Sequence, residues 1–146
     1  MGNTKQKAKD IIFKICRYDP EKNNTPYWQD FKLHVKPGMT VLDGLHEIKG
    51  SEDQSLSMRY SCRMGVCGSC GMLINGRPTL ACNTQILEVT GSVLTLAPLP
   101  NFNIIKDLVP DLTPMFEKHT AIMPNIQGAG PKRNGKSNQG VLSVRR

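Results

Sequence analysis

Four cysteines constrain this chain more than any other feature. Cys62, Cys67, Cys70 and Cys82 follow the spacing C-x4-C-x2-C-x11-C within SCRMGVCGSCGMLINGRPTLAC. The chain has five cysteines, an odd number and mostly bunched, which is not the framework of a disulfide-stapled secreted domain. Four thiolates brought to one place in a reducing compartment mean metal.

The spacing narrows the choice of metal. A zinc ribbon uses two CxxC knuckles separated by about 15–20 residues; here there is one close pair, Cys67 and Cys70, with an extra cysteine upstream. An x4–x2 loop with a distant fourth cysteine is the plant-type [2Fe–2S] ligation pattern. Two irons side by side, each taking two thiolates, require a loop that wraps an object wider than one ion. Gly65, Gly68 and Gly71 let backbone N–H groups face the sulfurs of a cluster that is negative in both redox states. Arg59 and Arg63 flank the loop, where they either offset that charge or are solvated. CGSC alone also resembles a thioredoxin-type redox pair, but that motif opens a helix, and the strand-like MLIN follows here. Cys16 reads as a buried structural thiol. His34, His46 and His119 are scattered and read as core or surface residues; Tyr27, Trp28, Met64 and Met72 read as packing residues.

Around the loop the pattern is mixed. Asp10–Arg17 (DIIFKICR) and Asp30–Val35 (DFKLHV) read as strands joined by a loop over Tyr18–Tyr27. Thr40–Lys49 switches to helical period, with Val41, Leu45 and Ile48 on one face, Thr40 as N-cap and Gly50 as the stop. Met72–Asn75 and Thr79–Ala81 read as strands turning at Asn75-Gly76, and Ser92–Leu96 as a further strand. Ile104–His119 has helical spacing interrupted by Pro110 and Pro114, which predicts two short helices. The expectation is an α+β sheet packed on one helix, with a short C-terminal helical connector.

Composition excludes other classes. The net charge of +7 comes largely from Lys132, Arg133, Lys136, Arg145 and Arg146 in a tail without acids, so the body has no electrostatic case for nucleic acid. Apolar stretches fall short of the roughly 18 residues of a membrane span. Met1–Lys9 has neither the apolar core of a secretory signal nor the arginines of a transit peptide. A bacterial-type cytoplasmic chain is expected.

RYSCRMGVCGSCGMLINGRPTLAC closely resembles the N-terminal ferredoxin domain of the iron–sulfur subunit of succinate dehydrogenase and fumarate reductase. Molybdenum hydroxylase small subunits share the cysteine spacing, but SCR, CGSC, ING and LAC in these places are the respiratory pattern. RYDP at 17–20, TVLDGLHEIK at 40–49 and PLPNFNIIKDLVPD at 98–111 extend the likeness; DLTPMFEKHTAIMP is closer to the bacterial fumarate reductase branch. The resemblance implies a β-grasp fold. It implies one [2Fe–2S] cluster per chain, with Cys62 and Cys67 on one iron and Cys70 and Cys82 on the other. It also implies one-electron relay between the FAD of a flavoprotein subunit and quinone, peripheral on the cytoplasmic face of the membrane, with anchor subunits as indirect partners. A free-standing [2Fe–2S] ferredoxin is the alternative.

The expected organisation is a flexible leader over 1–9, the ferredoxin domain over 10–103, a connector over 104–126 and a disordered basic tail over 127–146. The family's second domain binds [4Fe–4S] and [3Fe–4S] clusters, and no cysteine follows Cys82 to serve them. The expectation is therefore a truncated product, or a first module completed by another chain.

Overall fold

The computed structural model describes residues 7–89 and 91–124. The chain opens with β1 (Lys9–Asp19) and β2 (Asn23–Val35), an antiparallel pair registered from Lys9 opposite Val35 to Arg17 opposite Tyr27. The strands run well beyond the expected spans, leaving only a tight turn between them, because pairing satisfies backbone groups that a loop over 18–27 would leave to solvent. Next come α1 (Val41–Ser51), β3 (Gly71–Ile74), β4 (Arg77–Leu80), a 3-10 turn (Ala81–Asn83), α2 (Ile86–Val89) and β5 (Val93–Ala97). The sheet order is β2-β1-β5-β3-β4. β5 lies parallel to β1 and antiparallel to β3. A mixed sheet grasping one helix is the α+β ferredoxin-like architecture expected.

Strand alternation builds the core. Ile11, Phe13 and Ile15 of β1, Phe31, Leu33 and Val35 of β2, and Leu94 and Leu96 of β5 are buried together with Val41, Leu42, Leu45 and Ile48 of α1. Thr40 caps α1 through a complete capping box with Asp43, satisfying two donors that a helix start leaves without partners. The helix continues through Gly50 to a cap at Glu52, so Gly50 is not its stop. Gly44 lets α1 press on the sheet: a Cβ there would stand 2.6 Å from Phe13 Cζ.

The same alternation carries Arg17 inward, where it is 4% exposed. Its guanidinium donates to Asp107 Oδ1 at 2.9 Å, Asp53 Oδ2 at 2.6 Å, Gln29 Oε1 at 2.7 Å and Ser55 Oγ at 2.9 Å. Asp107, 1% exposed, also accepts from the N–H groups of Tyr18 and Ser57.

The connector differs from expectation. Residues 104–110 form a two-stranded hairpin, β6 (Ile104–Lys106) with β7 (Val109–Pro110), instead of a first short helix. Asp107 at the turn has φ 47°, which ends any helix there, and Ile104, Ile105 and Val109 are β-branched residues suited to strands. Leu108, which supplied the helical spacing, instead plugs the main core. Helix α3 (Thr113–Ala121) is the one helix of this segment, and a second compact unit starts at Pro114. No described helix is long and apolar enough to cross a membrane. Most of the expected leader and all of the expected basic tail lie outside the described residues.

Two outcomes test the buried network. Asp107→Ala leaves Arg17 charged and short of its most buried partner, and urea denaturation at neutral pH should show a loss of about 3–5 kcal/mol. The Ser55 hydroxyl first, and then Arg17, hold the Asp53 carboxyl down from 3.8 to about 2. Its contribution is therefore complete above the ordinary carboxylate value and lost as pH falls through about 2. Denaturant midpoints measured down an acid series should fall more steeply for the natural chain than for Asp53→Asn.

Candidate metal centre

Between Ser57 and Cys70 the chain has no regular secondary structure, yet both ends of this loop are fixed. At its entry, Leu56 is fully buried, Arg17 holds the Ser55 hydroxyl and Asp107 accepts the Ser57 N–H at 2.8 Å. At its exit, Gly71 N donates to Gly68 O at 3.0 Å, and β3 begins.

The x11 spacing is a hairpin. β3 and β4 pair Gly71 with Leu80 and Ile74 with Arg77, turning at Asn75 and Gly76, both at positive φ. Cys70 directly precedes that hairpin and Cys82 follows it after one residue, Ala81, so pairing returns the fourth cysteine beside the third. Ala81 N donates to Cys70 O at 3.1 Å, and Cys82 N points at Cys70 Sγ at 3.5 Å. The residue after the 3-10 turn, Thr84, ties it to the start of α1 by accepting from Val41 N at 2.9 Å.

The other two thiols form a second couple. Cys67 N donates to Cys62 Sγ at 3.3 Å, Met64 N points at the same sulfur at 3.5 Å, and Ser69 N at Cys67 Sγ at 3.5 Å. Gly65 N donates to Cys82 Sγ at 3.3 Å, linking the couples. Gly65 adopts φ 73° to do so, a conformation that costs a residue with a Cβ. Cys70 and Cys82 are buried, Cys62 is partly buried and Cys67 is exposed. Burial pushes the Cys70 thiol up, whereas the Ser69 hydroxyl, followed by backbone donors, holds Cys67 down to about 6.

The donor set suits a two-metal object. Among the described residues no three Cys, His, Asp or Glu side chains close on a single ion. The thiols gather two by two with amide hydrogens turned toward their sulfurs. A tetrahedral zinc site would need all four on one point; a bridged pair of irons needs two thiolates for each iron.

Other sequence readings fare differently. Cys16 faces Trp28 across β1 and β2 and is only partly buried. Met72 is core, but Met64 is 73% exposed and is not a packing residue; Tyr27 and Trp28 are also exposed. His34 pairs with Asp10 on the surface, and no histidine joins the cysteines. Arg63 adopts φ 58° and lies over the Tyr60 ring, 5.3 Å from its centroid. Sequence reasoning missed Arg17 and Asp107 as anchors of the loop. The signal was there for Arg17: after Ile11, Phe13 and Ile15, alternation puts the next inward place on an arginine, and a buried arginine needs acids.

Gly65→Ala should cost about 1–2 kcal/mol from its left-handed backbone. Its Cβ would meet Asn83 only at ordinary contact, 3.5 Å, so thermal unfolding should report backbone strain alone.

Comparison with known proteins gives a consistent result. The 2Fe-2S iron-sulfur cluster binding domain family matches residues 12–117. The mitochondrial succinate dehydrogenase [ubiquinone] iron-sulfur subunit of Dictyostelium discoideum is 40% identical over 130 residues, covering 86% of this chain and 45% of its own length. The fumarate reductase iron-sulfur subunit of Wolinella succinogenes is 42% identical over 102 residues, covering 69% and 43%. Among solved structures, a chain of the Mycobacterium smegmatis Sdh1 complex in the apo form superposes with a TM-score of 0.73 at 30% identity, covering 90% of this chain and 53% of that one. The chain spans about half the length of the curated relatives it matches. With its sheet, helix and paired thiols, the chain belongs to the 2Fe-2S iron-sulfur cluster binding domain family.

Proposed function

We propose that this chain is the cluster-bearing part of a succinate dehydrogenase or fumarate reductase iron–sulfur subunit. In this reading Cys62 and Cys67 hold one iron of a [2Fe–2S] cluster, and Cys70 and Cys82 the other. The observation that carries it is the grouping of the four thiols into two linked pairs faced by backbone amides. When bound, the cluster supplies reversible one-electron chemistry.

The chain's own residues bind, orient and tune. The thiolates of Cys62, Cys67, Cys70 and Cys82 ligate. The amides of Met64, Gly65, Cys67, Ser69 and Cys82 offset negative charge on sulfur, which favours the electron-rich state. Burial of Cys70 and Cys82 keeps water from one half of the site. The other half, at Cys62 and Cys67, stays within reach of a redox partner. No residue here is assigned an acid–base task; succinate and fumarate chemistry belongs to the FAD of a flavoprotein subunit.

Relatives named for both succinate dehydrogenase and fumarate reductase support membership of a membrane-associated complex. Within it the flavoprotein subunit is the direct partner, membrane anchor subunits are indirect ones, and the bacterial location is the cytoplasmic face. Residues 10–103 together with the β6–β7 hairpin, whose Asp107 and Leu108 are built into the main body, form the cluster domain, and the chain beyond Thr113 leads toward a further domain that completes the route to quinone.

Anaerobic reconstitution with iron and sulfide should give a coloured protein holding two irons and two sulfides per chain. Cys82→Ser should lose or severely perturb the reduced-state paramagnetic resonance signal and destabilise the fold, because metal binding and folding are coupled. Cys16→Ser should leave that signal intact. The reverse pattern would overturn the ligand assignment. Co-purification with a flavoprotein supports the complex; a stable free carrier that captures none would instead mark a free-standing ferredoxin.

A further inference from the structure

His46 lies on α1 and is partly buried. Its ring meets Tyr60 edge-on, with centroids 4.5 Å apart and planes at 80°. The Tyr60 ring in turn carries the Arg63 guanidinium at 5.3 Å. Tyr60 and Arg63 bracket Cys62 in the loop, so the imidazole is stacked onto the segment that presents a ligand. Its Nε2 is buried and has no hydrogen-bond partner among the described residues. A buried nitrogen in that state is costly, and nothing in the fold or the ligand set uses it.

We propose that His46 is a proton-binding site linked to the redox state of the cluster, so that an electron entering the centre is accompanied by a proton bound at the His46 imidazole. The inference rests on the cluster assignment above. The balance is simple: an external one-electron reductant gives its electron to the cluster, solvent gives a proton to the ring, and no covalent bond between heavy atoms forms or breaks.

The electrostatics favour such coupling. Burial first, and then the Arg63 guanidinium, hold the imidazole below its ordinary value, with Lys49 acting the same way and Asp43 opposing. The 3-10 turn and β2 also pack on α1. The 3-10 turn presents Ala81, Cys82 and Asn83, and the buried face of β2 presents Phe31, Leu33 and Val35, so the titratable group they add is the Cys82 thiol. These influences favour the neutral ring, whose Nε2 has no partner among the described residues. Reduction adds a negative charge beyond Arg63. Arg63 follows Cys62 directly in the chain, and its charge already acts on the ring. The added charge offsets that of Arg63 and favours the imidazolium. Histidine is the side chain whose ordinary value lets such a push change its charge near neutrality.

The test is a redox titration of the reconstituted full chain, followed by paramagnetic resonance across a pH series. The midpoint should fall as pH rises between the values His46 has in the oxidised and reduced protein, by at most one proton per electron, and level off on either side. His46→Gln should carry the cluster with a midpoint independent of pH across that window. A flat profile in the natural chain, or an unchanged slope in His46→Gln, overturns the proposal. Should the variant fail to load, proton uptake by the natural chain on reduction, read with an indicator dye, decides the matter: uptake within the window supports it, and none at any pH overturns it. A coloured but pH-independent protein removes the His46 role alone, whereas a chain that takes up no iron and sulfide removes the cluster assignment with it.

Discussion

The buried guanidinium of Arg17 is the interaction on which the arrangement of this protein turns. It contacts Gln29 on β2, Asp53 and Ser55 beyond α1, and Asp107 in the β6–β7 turn. Three separated stretches of chain therefore meet on a planar cation supplied by a fourth, β1. Arginine suits that place because its rigid fork offers several donors at fixed angles and stays charged when buried. Asp107 extends the knot by accepting the N–H of Ser57, the last anchored backbone before the cysteine loop. An irregular loop has no ladder of its own to hold it; here its entry is fixed by charge and its exit by a strand pair.

That division explains how a sequence spacing becomes a site. Three cysteines sit close in the loop and need only local turns to converge. The fourth is remote and depends on the β3–β4 hairpin being in register, since a one-residue slip would turn Cys82 away from Cys70. Register is set by the Asn75-Gly76 turn and by Met72 and Ile74 facing the core. The same hairpin is reinforced from β5, where Thr95 N donates to Asn75 Oδ1 at 2.9 Å. The close seating of α1 on Phe13 through Gly44 then brings the helix carrying His46 against the loop.

The sequence made some of this legible and not the rest, for physical reasons. Local chemistry spoke clearly: Thr40 as the N-cap of α1, Asn75-Gly76 as a turn, period-two alternation in β2, and the cysteine spacing itself. The segment from Ile104 was misread because apolar residues at helical intervals can equally be a short hairpin with one residue, Leu108, turned into a distant core. Its true form depends on Asp107 adopting φ 47° to reach Arg17, a contact across the whole chain that no local pattern contains. Gly50 failed as a helix stop for a similar reason: the turn after α1 is closed by Glu52 and Asp53, both donating to Ile48 O, with Asp53 drawn in by Arg17.

A one-electron centre faces opposed demands, and the two thiol pairs divide them. Shielding from water limits side reactions and strengthens hydrogen bonds to sulfur, whereas transfer to another protein requires a thin edge. Cys70 is 3% and Cys82 9% exposed, at the root of the hairpin. Cys62 and Cys67 lie in the loop whose tip shows Met64 at 73% and Val66 at 79% exposure. Packing within the described residues leaves these two apolar side chains in water. The loop is irregular where access is needed and locked to the core where shielding is needed. The asymmetry follows from placing two of the cysteines in an irregular loop and two at the root of a strand pair.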